Sequence, residues 1–178
     1  PPPCDLRCFA SMETLVRENA GRVAAVIVEP MCMGAAGMRI YEAAYLKRLR
    51  ALCDETGALL IGDEIAVGFG RTGTMFACEQ VGITPDFLCL SKALTGGYLT
   101  LAATLTTRQV SAAIAGGDPG LFMHGPTFMA NPLACAAGLA SLQLLLNSPW
   151  EQRVTRIEQG LLDGLDPCRA YPSVADVR

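Results

Sequence analysis

The chain alternates between short runs that are apolar throughout and longer stretches whose apolar residues recur every three to four positions. Residues 23–28 (VAAVIV), 58–62 (ALLIG) and 87–90 (FLCL) are runs of the first kind. Runs of this length, bounded by charged or turn-forming residues, predict strands covered on both faces. Between the first two, apolar residues at 45, 46, 49, 52 and 53 keep helical spacing over 41–56, with Lys47, Arg48 and Arg50 facing elsewhere and Gly57 as the stop. Strand, helix, strand with short joints is a βαβ unit, and its parallel crossover is expected to be right-handed.

The rest of the pattern extends this frame. Residues 1 to about 10 read as an irregular lead-in, and 11–19 as a helix capped by Ser11. Thr14 stands where a full capping box has a glutamate or glutamine. A short helix is expected near 75–81, and a strand over 99–106, helped by its threonines. A helix over 108–115 is broken by Gly116-Gly117-Asp118-Pro119-Gly120. Residues 131–147 predict a long Ala/Leu helix with few polar residues on any side, hence one deeply packed. Residues 151–165 are amphipathic, with Val154, Ile157, Leu161, Leu162 and Leu165 on one face. Residues 174–178 read as the opening of a strand with no partner in view, so the chain is expected to be a piece of a longer polypeptide. The fold class that emerges is α/β, a mostly parallel sheet flanked by helices.

Composition narrows the function. The chain has 178 residues, enough for one domain with a sizeable core. Hydrophobic residues make up 51% and charged residues 17%, so much of the surface is expected to be covered, within the domain or by a partner. A net charge of −3 gives no electrostatic case for nucleic acid. Glu29, Asp63 and Lys92 interrupt every apolar run before it reaches the length of a membrane span. The opening Pro-Pro-Pro-Cys-Asp carries no secretory signal pattern. The eight cysteines form no Cys-x-x-Cys pair and there is a single histidine, so no metal site is expected. Reduced thiols acting as small core residues fit best, and they point to a reducing, cytoplasmic setting.

The chemistry lies where the apolar runs stop. The run 58–62 ends in Asp63-Glu64, and 87–90 ends in Ser91-Lys92. Ligands of parallel α/β sheets bind beyond the carboxyl ends of the strands. An amine and a carboxylate placed there together suit pyridoxal phosphate, which needs a Schiff-base lysine and an acid for its pyridinium nitrogen. Either residue alone reads as a surface lysine or a helix-capping aspartate; the pairing carries the inference. Lys92 would then serve as acid and base in the proton shift. Glu29 also ends a strand, and from spacing alone a solvated carboxylate is as good a reading as a site residue. Glu64 reads as structural. Gly68-x-Gly70-x-x-Gly73 matches a dinucleotide fingerprint, but Asp63-Glu64 stand between strand and glycines, where their charge opposes a pyrophosphate. His124 in a Gly-Pro turn reads as structural, and Thr127, ahead of a helix, is the better phosphate donor.

Val28-Glu29-Pro30, Asp63-Glu64-Ile65, the Gly68–Gly73 loop and Ser91-Lys92 together resemble the class III (omega-amino) aminotransferases of PLP fold type I. The stretches LSKALTGG (90–97) and FMHGPTFMANPLACA (122–136) are similar to members that aminate 8-amino-7-oxononanoate in biotin biosynthesis, with S-adenosylmethionine as donor. The resemblance implies that residues 1–170 are part of the PLP-binding large domain and 171–178 the start of a small C-terminal domain, truncated at both ends. It implies Lys92 and Asp63 as catalytic and cofactor-binding residues, with Ile65 against one ring face. Pro126 and Thr127 would reach the cofactor phosphate across a homodimer interface. Gly125, Lys92 and Glu29 would meet substrate, Glu29 by pairing with an arginine of the small domain. Val67 and Ser91 depart from the threonine and glycine common in relatives. Three other readings stay open: an aminotransferase of the same class acting on an omega-amino acid and a 2-oxo acid, a Rossmann-type nucleotide-binding module, and a packing fragment that is inactive on its own.

Overall fold

The computed structural model describes residues 5–177. Cys4, in the lead-in, and Arg178, at the end of the expected terminal strand, lie outside the described residues. A four-stranded sheet runs in the order β1 (Ala25–Val28), β4 (Leu59–Asp63), β5 (Phe87–Leu90), β6 (Ala103–Thr106). The first three are parallel, and β6 joins antiparallel to β5. A small hairpin of β2 (Cys32–Met33) and β3 (Arg39–Ile40) follows β1. The apolar runs therefore become parallel strands, each exiting toward the same edge.

Helix α2 (Ala43–Thr56) connects β1 to β4, and α1 (Ala10–Glu18) packs beside it. Leu46, Leu49, Leu52 and Cys53 are fully buried, as the spacing predicts. With Phe9, Val16, Val26, Ala58 and Leu60, all but Leu46 build one core cluster against a single face of the sheet. Burying each large aliphatic side chain of this kind stabilises the fold by about 1.5–3 kcal/mol. Gly57 ends α2 with φ +74°, a left-handed conformation that suits glycine. The α1 cap differs from expectation. The helix starts at Ala10, straight out of a 3-10 turn over Arg7–Phe9, and Ser11 lies inside it. Phe9 fixes that start by burying its ring edge-on against Tyr45, with centroids 4.9 Å apart.

Glu13 and Glu55 accept hydrogen bonds from both Arg17 and Arg48, closing a ring of charges between α1 and α2. Hydrogen bonding from Arg17 holds Glu13 below the ordinary carboxylate value, and that from Arg48 does the same for Glu55. Because these folded values are lowered, the stabilisation is complete above the ordinary range and is lost as pH falls through them. The Glu13→Gln/Glu55→Gln protein is expected to show a shallower loss of stability between neutral pH and roughly pH 3, below the ordinary carboxylate value. Urea unfolding curves at both pH values, at low and high salt, check this. An unchanged acid dependence excludes the ring as its source.

Three other expectations need correction. The predicted strand 99–106 begins only at Ala103, and residues 174–177 form no strand. The long helix, α4 (Pro132–Leu146), is not deeply packed. Only Ala134 and Gly138 are buried, while Leu133 is 68% and Leu144 75% exposed. An all-round apolar helix needs cover on every side, and here its main cover among the described residues is the turn after β5 and Leu101. The apolar face of α5 (Trp150–Leu165) is likewise largely exposed, as Ile157 and Leu161 show. Helix α3 (Arg108–Ala115) is capped by Thr107, whose hydroxyl accepts from Val110 N. No helix among the described residues is long and apolar enough to cross a membrane.

Candidate active site

Three parallel strands end side by side, and each hands on a charged residue: Glu29 after β1, Asp63 at the close of β4, Lys92 after β5. Asp63 is in register with Cys89 of the next strand, so its carboxylate and the Lys92 turn share one sheet edge. Adjacent strands lie about 5 Å apart, which puts the two residues at neighbouring strand ends. Asp63 is half-buried, and its Oδ1 accepts from Ile65 N at 3.0 Å, orienting the carboxylate over its own loop. Lys92 is exposed and opens a 3-10 turn, Lys92–Thr95, with φ +45°. A left-handed conformation at a residue other than glycine costs about 1–2 kcal/mol, so the surrounding contacts must hold it.

Alternation along β4 turns Glu64 to the opposite side from Asp63, onto the face of Leu60 and Gly62. There it is fully buried, and its two carboxylate oxygens accept from Ala77 N and Cys78 N, each at 2.8 Å. Burial pushes this carboxyl up, against the pull of the two amides. Glu64 thus caps the 3-10 turn Ala77–Val81 and closes the loop that returns from the active edge. Burial, and then the Glu64 charge, push the Cys78 thiol up to about 12, which leaves it an inert packing group. Cys32, Cys53, Cys78, Cys89, Cys135 and Cys168 are free thiols, and no metal-binding cluster occurs among the described residues.

The glycine triplet does not open a helix. Gly70, with φ +87°, lies under the Trp150 ring, where an added Cβ would come within 2.9 Å of Cε3. The loop is a close-packed joint with α5, unlike a pyrophosphate cradle. Glu29 is half-buried and turned into the hairpin: its Oε2 accepts from Gly34 N at 3.0 Å, and its carbonyl accepts from the Tyr41 hydroxyl at 2.7 Å. Burial pushes the Tyr41 phenol well up, keeping it a neutral donor.

Gly125, Pro126 and Thr127 stand on an exposed segment before α4 and, among the described residues, have no hydrogen bond to either strand end. His124 is exposed too, its ring tilted against Phe122. A cavity of about 740 Å³ beside the edge is lined by Ala93, Thr95, Tyr98, Ser141 and Arg153, without Asp63 or Lys92. Lys92 is exposed and Asp63 half-buried at this edge, outside that cavity. Sequence reasoning passed over Thr95 and left Ser91 as a mere departure from pattern. Hydroxyls on both sides of the lysine were the available signal.

Parallel strands ending on a carboxylate and an amine place both residues at the carboxyl edge of an α/β sheet, where ligands of such folds bind. The family described as Aminotransferase class-III matches residues 4–178, and the chain belongs to it. It is 51% identical over 168 residues to the adenosylmethionine-8-amino-7-oxononanoate aminotransferase of Mycobacterium leprae, covering 94% of this chain and 38% of that protein. The solved enzyme of that name from Methanocaldococcus jannaschii superposes with a TM-score of 0.86 at 37% identity, over 99% of this chain and 42% of its own. An amine transaminase from an uncultivated Pseudomonas species, solved in its PLP-bound internal aldimine form, gives 0.89 at 38% identity, over 96% and 39%. The chain thus spans well under half the length of these relatives.

Proposed function

We propose that the protein containing this chain is a pyridoxal-phosphate enzyme that transaminates 8-amino-7-oxononanoate to 7,8-diaminononanoate, with S-adenosylmethionine as amino donor, in biotin biosynthesis. The observation that carries the reading is the amine of Lys92 and the carboxylate of Asp63 on the ends of adjacent parallel strands. The substrate follows the name borne by relatives 44–51% identical to the chain.

The donor set fits the cofactor: one primary amine and one carboxylate at neighbouring strand ends, and an apolar Ile65 whose N–H is anchored to that carboxylate. When bound, pyridoxal phosphate supplies an electron sink for the carbanion left when the substrate Cα–H bond breaks. Lys92 Nζ takes that proton as a base and returns it as an acid. Asp63 keeps a proton on the pyridine nitrogen, because its negative charge favours the protonated ring. Ile65 would cover the cofactor ring and exclude water from it. Pro126 and Thr127 would hold the phosphate, and Gly125 and Glu29 the substrate. The exposed 121–129 segment and α4 would reach the partner subunit of a homodimer. Residues 1–170 would belong to the large domain and 171–178 to the start of the small one, in a cytoplasmic enzyme.

The reaction is ping-pong: donor amine is deposited first, then passed to the ketone. Assaying the full-length protein with S-adenosylmethionine, glutamate or alanine as donor tests the reading. Diaminononanoate is expected with S-adenosylmethionine alone. Turnover of an omega-amino acid with a 2-oxo acid, and none with 8-amino-7-oxononanoate, would assign it to a different member of the family.

A further inference from the structure

The left-handed backbone at Lys92 is gripped from both flanks, and we propose that the hydroxyls of Ser91 and Thr95 are positioning residues that aim the Lys92 amine. This rests on the transamination reading above. Ser91 Oγ donates to Leu101 O at 2.7 Å, and Thr95 Oγ1 donates to Leu99 O at 2.5 Å. Both acceptors belong to the 99–101 segment, so the hydroxyls bracket the lysine and tie its turn to one strip of backbone. The turn is closed internally by Leu94 N on Ser91 O and Gly96 N on Ala93 O, both at 3.0 Å.

Helix α4 backs the clamp. Ser141 Oγ meets Ala93 O at 3.4 Å, and a Cβ at Gly138 would lie 3.3 Å from Leu101 Cδ2 and 3.5 Å from Leu94 O. The turn can therefore move neither toward the helix nor away from the strip without breaking a contact. Thr95, only 1% exposed, has no solvent to replace its partner. Between these anchors Lys92 keeps φ +45°. Were the anchors cut, that residue would relax toward the right-handed region and swing the root of a four-carbon side chain. An amine that must reach one carbon repeatedly is sensitive to such a swing, since misplacement by about 1 Å can cost about 100-fold in rate.

The test uses the full-length protein loaded with pyridoxal phosphate, with Ser91→Ala, Thr95→Val, Thr95→Ser and Lys92→Ala. Ser91→Ala and Thr95→Val are each expected to lower kcat by about tenfold with KM changed less than about twofold. The pH midpoint of the bound cofactor's absorbance change is expected to move in both, and Thr95→Ser to recover most of kcat. Wild-type kcat and midpoint in both variants would overturn the clamp. Lower kcat with an unmoved midpoint and no recovery in Thr95→Ser would also overturn it, by making the hydroxyls merely structural. Should Thr95→Val fail to fold, the half-exposed Ser91→Ala decides alone. Turnover retained by Lys92→Ala would instead sink the transamination reading, whatever the clamp variants do.

Discussion

With alanine at position 92, the full-length protein is expected to lose turnover by about 10⁴-fold or more. Proton transfer by a positioned side chain contributes about 10²–10⁴-fold, and loss of the covalent hold on the cofactor adds to it. A factor of 10⁴ corresponds to about 5.5 kcal/mol of barrier. Lys92→Arg is expected to fare no better, although it keeps the charge. A guanidinium stays protonated and supplies no free amine at neutral pH. Two measurements check this: kcat for diaminononanoate formation, and borohydride reduction followed by peptide mapping. Wild-type protein should carry the cofactor's mass on the peptide containing Lys92. The chain's other lysine, Lys47, lies exposed on α2 and serves as the internal control. A label on Lys47 with full activity in Lys92→Ala would remove the assignment.

What the sequence made legible were the features carried by local pattern. Three fully apolar runs became β1, β4 and β5, but the cover on both faces that such runs predict is incomplete: the core lies against one face, and Ile27 of β1 is 63% exposed. Helix α2 followed from its spacing and ended at Gly57 for a stated conformational reason. The common edge for Glu29, Asp63 and Lys92 was then a consequence of parallel direction. The family relationship rested on the same strand ends, and the class III match covers them.

The misses arise where tertiary contacts override local pattern. Residues 99–102 have the composition of a strand, yet the carbonyls of Leu99 and Leu101 accept side-chain hydroxyls from Thr95 and Ser91. The ladder with β5 starts only where those demands end. Helix α4 was expected to be packed because hydropathy reports what a surface prefers, not what this chain has available to cover it. Ser11 lost its capping role because a buried aromatic, Phe9, fixed the helix start upstream. Glu64 was legible in part. Strand alternation alone puts it on the inner face of β4, but its partners at Ala77 and Cys78 could be found only in three dimensions.

That buried carboxylate carries the second large prediction. Replacing Glu64 with alanine leaves the amides of Ala77 and Cys78 inside the protein with no acceptor. An unsatisfied buried donor costs about 1–3 kcal/mol, so the pair together cost roughly 2–6 kcal/mol. Removing the side chain also opens a cavity, which adds to the loss. Against a net stability of about 5–15 kcal/mol, the variant is expected to be marginal or unfolded. Glu64→Gln separates the two contributions. It fills the same volume and accepts one amide through its oxygen, but its NH₂ faces the other donor. Its loss should therefore fall between wild type and alanine. Urea unfolding monitored by circular dichroism gives the ordering: wild type most stable, glutamine next, alanine least. If alanine came within about 0.5 kcal/mol of wild type, as neutral surface changes do, Glu64 would not hold the loop. The adjoining Asp63 would then owe its orientation to its bond with Ile65 alone.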